Sequence, residues 1–286
     1  MRLEELICTR LELLNDLSSY DDEPAVFYMQ AASDVDEEWA KDKQFPYVVF
    51  YMNMDANAER QTSGELLVDV CSSPQNKAPE LIAEQVHELL ENVFFTANRR
   101  TFSAAWRKYS PFVEKDRVQG VTVVFDLYEF TNMEAGDPDP IAAINRYTAC
   151  WDEDIAVIGH TILPEIYVPT REKPAAYFRR RSFETAEQTY TVVWENAELV
   201  FHLFAPALED RLMWIEQFKQ HLIMRGEVTM LDGSPMFVKD IRSNAARLPQ
   251  EGQVLVNVRY GILKRPVYAH TMRHAITNKL DIDEED

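Results

Sequence analysis

Glycine is scarce in this chain, eight in 286 residues, and no GxGxxG or GxxxxGK[ST] run occurs. Nucleotide binding by the usual backbone nests is therefore disfavoured. Cysteine is scarcer still. Cys8, Cys71 and Cys150 stand far apart, without CxxC spacing and in odd number, so they cannot form a complete intramolecular disulfide framework and fit a reducing compartment. No apolar run approaches the ~20 residues that span a bilayer. The first residues, Met1-Arg2-Leu3-Glu4-Glu5-Leu6, place acids where a signal peptide carries its basic region. We expect a soluble protein in the cytoplasm where it is made.

Basic charge is also in deficit. The 29 Lys and Arg face 48 Asp and Glu, a formal net charge of −19. Wrapping duplex DNA or binding an anionic membrane needs clustered cations, so neither membrane nor sequence-specific nucleic acid is expected as a partner. Arg179-Arg180-Arg181 is a local exception, and beside Glu184 and Glu187 it reads as a solvated face paired with acids. The acidic runs at 34–38 and 281–286 read as a loop and a frayed tail.

Chemical motifs are likewise few. His270 and His274 stand four apart and would share a helical face, but no HExxH, neighbouring cysteine or third ligand accompanies them. His202 sits out of phase with Leu199, Phe201 and Leu203 on a strand, which suits an exposed or interface position. His87 and His221 fall on the outer faces of helices, and His160 lies in a connector. There is no GxSxG elbow, and Cys71, at a strand end, reads as a packed thiol. Acid pairs such as Asp21 with Asp22, or Asp152 with Asp154, are expected in so acidic a chain. We assign no catalytic, cofactor-binding or metal-ligating residue.

What the chain has in abundance is hydrophobic pattern. Apolar residues make up 46% of it and aromatics 11%, ample for a folded core. Leu3, Leu6, Ile7, Leu11, Leu14 and Leu17 space a leading helix. Tyr47 to Met54 and Glu65 to Cys71 are strands, and Leu66, Val68 and Val70 share one face. Pro79 opens a helix carrying Ile82, Val86, Leu90 and Phe94. A basic, aromatic connector with Arg99, Arg100, Trp106, Arg107 and Lys108 leads through Ser110-Pro111-Phe112-Val113 to a strand from Val121 to Phe130.

The order then recurs. After a Pro- and Gly-bearing hinge at 134–140, Ile141 to Trp151 forms a helix, and strands run over 162–168 and 189–194, with Glu195-Asn196-Ala197 as a turn. Leu199 to Phe204 is a strand, and Leu208, Leu212, Ile215, Phe218 and Leu222 line a helix. Ser234-Pro235 leads to a last alternating strand with Val254, Val256, Val258 and Tyr260. Four landmarks thus return in one order, which we read as a tandem duplication. The expected fold is α+β, in two similar domains, each a mostly antiparallel or mixed sheet with helices on one face. The units are 1–133 and 141–265, joined by a linker at 134–140 and followed by a helix or acidic tail at 266–286.

The run Phe45-Pro46-Tyr47-Val48-Val49-Phe50-Tyr51, then Gly64-Glu65-Leu66-Leu67-Val68-Asp69-Val70, a helix to Phe94, and Gly120 to Leu127 resembles bacteriophage tail terminator proteins, which complete tails and join them to heads. The resemblance covers residues 1–132 and, more weakly, 141–263, where Tyr190-Thr191-Val192-Val193-Trp194 replaces the Pro-Tyr-Val strand. It implies a non-enzymatic structural protein of a phage tail or phage-like contractile particle. Such a protein forms a ring that caps the tail tube and joins it to neck or sheath, needs no cofactor, and meets its own copies and the tube. Family members usually have one such domain, so a doubled chain leaves the ring a trimer or a hexamer. Two alternatives stay open: a metal-dependent hydrolase using His270 and His274, and a cytosolic protein-interaction module.

Overall fold

Periodicity of the apolar residues sets the elements of the computed structural model, which describes residues 1–31, 45–113, 118–135 and 138–264. Helix α1 (Leu3–Leu11) turns Leu6, Ile7 and Leu11 inward. Its first turn is fixed by the Arg2 backbone N–H, which donates to the Glu5 carboxylate at 2.7 Å. A short hairpin, β1 (Ser19–Tyr20) and β2 (Glu23–Pro24), precedes β3 (Val26–Tyr28), β4 (Tyr47–Asn53) and β5 (Gly64–Ser72). Then follow α2 (Pro79–Leu90), β6 (Phe94–Ala97), β7 (Arg100–Val113) and β8 (Gln119–Phe130). The alternating Leu66, Val68 and Val70 of β5 pack with Val48 and Phe50 of β4, Val123 and Phe125 of β8, and Ile82 and Val86 of α2 in one buried core.

The second half begins at α3 (Pro140–Trp151), where the Asp139 carboxylate accepts the N–H groups of Ile141 and Ala142 at 3.1 and 3.2 Å. Next come β9 (Ala156–Val157), β10 (Ile166–Tyr167), β11 (Ala175–Gln188) and β12 (Val192–Phe204). Helix α4 (Leu208–Arg225) leads to β13 (Glu227–Thr229), β14 (Pro235–Ser243), a 3₁₀ turn at Pro249–Glu251, and β15 (Val254–Leu263). Gly226 stops α4 in the left-handed region at φ +70°, where its N–H caps the Leu222 carbonyl. Phe178, Leu199, Phe201, Ile215, Phe218 and Val256 are among the residues of the second core.

The strands form a seven-stranded sheet, ordered β10-β6-β7-β8-β5-β4-β3, and a six-stranded sheet, ordered β13-β14-β15-β12-β11-β9. Apart from β10, one wiring serves both. The run β4-β5-α2-β6-β7-β8 and the run β11-β12-α4-β13-β14-β15 pair in the same order, and each is preceded by a helix and a short parallel edge strand. Even the bulges coincide. Arg107 is the extra residue of β7 opposite Val124 and Phe125, and Lys239 is the extra residue of β14 opposite Asn257 and Val258. The fold is α+β, with two similar sheet domains, each mostly antiparallel and each carrying its helices on one face.

Several elements differ from the sequence reading. From Arg100 on, the stretch expected as a connector at 99–108 belongs to β7, a 14-residue strand; its bulge at Arg107 shifts the alternation by one residue, and so hides the strand's period. Glu195-Asn196-Ala197 is no turn but lies inside β12, where Glu195 is buried and accepts the Thr185 hydroxyl at 2.8 Å. The true reversal lies at 189–191, where the Thr189 N–H donates to the Val192 carbonyl at 2.8 Å. The strand expected over 162–168 is only Ile166–Tyr167, and it joins the first sheet although it follows the hinge. Much of the acidic insert, at 32–44, and everything from 265 onward, including His270 and His274, lie outside the described residues.

Candidate functional site: the joint between the two sheets

The joint starts from one strand edge. In β6, Phe95 faces the first core while its neighbour Phe94 points the other way. The outer edge of β6 is taken by β10, with Ile166 opposite Phe95 and Tyr167 opposite Phe94, and the Thr96 N–H donates to the Glu165 carbonyl at 2.8 Å. A segment from the second half thus completes the first sheet. The Met1 ammonium, 3.4 Å from the Glu165 carboxylate, lies at the same seam.

Behind that edge the two units share an aromatic cluster. Phe94 and Phe130 of the first unit meet Phe204 and Tyr177 of the second in edge-on pairs, with ring centroids 4.9 Å apart for Phe94 and Phe204 and 5.0 Å for Phe130 and Tyr177. The Tyr177 hydroxyl donates to the Thr131 carbonyl at 3.0 Å, and the Gln250 amide donates to Asn92 Oδ1 at 2.7 Å. All four rings are buried. In β12, Leu199, Phe201 and Leu203 fill one face, so an apolar Phe204 on the opposite face is the signal that a second surface is covered.

His202 lies beside this cluster and is buried, contrary to the exposed position expected for it. The 3₁₀ turn, with the Arg179 side chain from neighbouring β11, covers the outer face of β12 here. His202 Nδ1 donates to the Pro249 carbonyl at 2.8 Å, and Arg179 Nε donates to Nε2 at 3.1 Å. These partners fix one neutral tautomer, because a second ring proton would point at the guanidinium. Burial, with Arg179 adding to it, lowers the imidazole to about 4. Gly252 belongs to the same arrangement: its φ is +84°, and a Cβ there would come within 2.2 Å of Val200 Cγ1.

A polar cleft of about 520 Å³ opens next to the joint, lined by Arg60, Asp126, Arg179, Arg181, Arg247 and Glu251 among others. Arg60, Arg179 and Arg181 of this lining have partners. Arg60 and Arg107 both pair with Glu65 and Asp126, Arg107 reaching Glu65 at 2.6 Å, and Arg107 holds the Glu65 carboxyl below its ordinary range. Of the triple arginine, Arg181 meets Glu198 at 3.2 Å as a solvated pair, whereas Arg179 turns inward to His202 and Arg180 stacks over Phe183.

The remaining candidates are dispersed. His87, expected to face water, is half-buried: it stacks on Trp106 and contacts the Tyr109 hydroxyl at 3.0 Å, and burial lowers its pKa. His221, also expected at the surface, is bonded to the Tyr147 hydroxyl at 2.6 Å and stacked on Trp151. Both helices lay that face against bulky aromatics, which sequence spacing alone does not disclose. His160 stands 3.3 Å from Glu134. Cys71 is buried, Cys150 is exposed, and the Cys8 thiol, pushed up to about 12 by burial with Glu12 adding to it, is a poor nucleophile. Asp152 accepts the Asp154 N–H at 3.0 Å. Among the described residues no three His, Cys, Asp or Glu side chains group as a metal site, and no helix is long and apolar enough to cross a membrane.

At this joint a strand edge of the first sheet is filled by a strand from the second half, and rings lock the corner behind it. No protein-family model and no curated protein matches the chain.

Proposed function

We propose that this chain is a structural assembly protein of a phage tail or phage-like contractile particle, a tandem pair of one sheet unit that builds a ring on the end of the tail tube and joins it to neck or sheath. The observation that carries the reading is the joint, in which two units of one wiring already associate by edge-strand addition. A ring is this relation repeated until it closes, since a head-to-tail contact closes when its rotation divides the circle. Three chains then imitate a six-unit ring, or six chains carry a second tier. The acidic composition supports the same use, because a lumen lined with carboxylates does not retain passing DNA.

Incubating the chain with assembled tail tubes of its own particle and imaging them by electron microscopy tests the reading. Density at one tube end is the expected result; naked ends at saturating protein contradict it.

A further inference from the structure

The polar cleft beside the joint is walled by both units, with Arg60 and Tyr128 from the first and Arg179, Arg181, Arg247 and Glu251 from the second. A second hollow of about 350 Å³ shares Arg60, Tyr128 and Arg179 with it and reaches Phe130 and Tyr177 of the joint. In a chain of net charge −19, arginine is concentrated here.

Most of these cations are neutralised by carboxylates. Arg60 shares Glu65 and Asp126 with Arg107, and Arg181 meets Glu198. Arg179 is held differently. Its Nε–H donates at 3.1 Å to Nε2 of His202, a ring kept neutral by giving its other proton to the Pro249 carbonyl at 2.8 Å. A neutral acceptor fixes the guanidinium in place and leaves its charge uncompensated. Among the described residues, neither terminal amino group of Arg179 has a hydrogen-bond partner, and no carboxylate forms an ion pair with it. The Arg247 side chain, exposed on the loop before the 3₁₀ turn, and the half-buried Tyr128 hydroxyl are likewise without partners among the described residues. Donors from β8, β11 and that loop thus meet unsatisfied in one cleft. Glu59 and Glu251 line it too, and they repel a second negative charge, so the fit is to one anionic group and not to a polyanion.

We propose that this cleft binds a ligand carrying a single oxyanion, a carboxylate or a phosphate group, which the two terminal amino groups of Arg179 receive as a fork, with Arg247 and Tyr128 as further donors. His202 acts through Arg179 as a positioning residue. The site draws on both units of the chain, and the inference does not depend on the ring.

Isothermal titration calorimetry of the full chain at fixed ionic strength tests it, with inorganic phosphate in one arm and the peptide acetyl-Ala-Glu-Ala-amide in the other. At least one probe is expected to saturate one site per chain, and the arm that does so names the source of the oxyanion. Arg179→Lys, which keeps the charge and loses the fork, and Arg247→Gln, whose side chain the fold does not use, each weaken binding by about ten-fold or more. Arg242→Gln removes the same charge from a surface pair with Asp240 and leaves binding unchanged. His202→Gln, whose amide still accepts from Arg179, retains the affinity, and His202→Leu does not. Saturation by neither probe overturns the proposal, as does binding that Arg179→Lys and Arg247→Gln leave unchanged or that Arg242→Gln weakens equally.

Discussion

His202 shows how one residue's surroundings become a measurable property. Its imidazole is neutral in the fold at any pH above about 4, while the unfolded chain takes up a proton near 6.5. Between those values the unfolded state binds more protons, so the stabilisation is complete above 6.5 and is lost as pH falls through 4. At about 1.4 kcal/mol per pH unit the loss amounts to about 3 kcal/mol. Urea unfolding at intervals from pH 7 to pH 4 is expected to show that slope in the parent chain and a flatter one in His202→Gln, whose amide can serve both partners. Gly226 provides a second residue-scale test. A Cβ there meets nothing within 4 Å, so Gly226→Ala isolates the left-handed backbone cost, about 1 kcal/mol by denaturant unfolding.

Among elements, the joint has the largest consequence. Phe94 is fully buried between Phe130 and Phe204, and Phe94→Ala leaves a cavity costing about 3–5 kcal/mol. Because those rings couple the units, the variant is expected to unfold in two calorimetric transitions where the parent shows one. Legibility in the sequence follows the same physics. The strand at 65–71, the helix after Pro79 as far as Leu90, and the final alternating strand were readable because each keeps one phase over a single buried face. The expected continuation of that helix to Phe94 fails, since the helix stops at Leu90 and Phe94 stands in β6. β7 was unreadable because Arg107 shifts its phase midway, and β12 was cut short because a buried glutamate imitates a turn. β10 has only two residues, and its partner lies some 70 positions earlier, so local pattern says nothing of it. Of the joint, only the apolar residue on the outer face of β12 left a trace.

At the scale of the whole molecule the recurrence has a structural form. Apart from β10, the two sheets share wiring and bulge position, and they differ in what covers the β6-type edge. In the first sheet that edge is filled from within the chain; in the second, among the described residues, it is open. The central claim is tested most directly by electron microscopy of the purified chain at micromolar concentration, with class averages of the particles. Closed rings with a central opening, built from three or six chains, are the expected result; particles that remain single chains would contradict it.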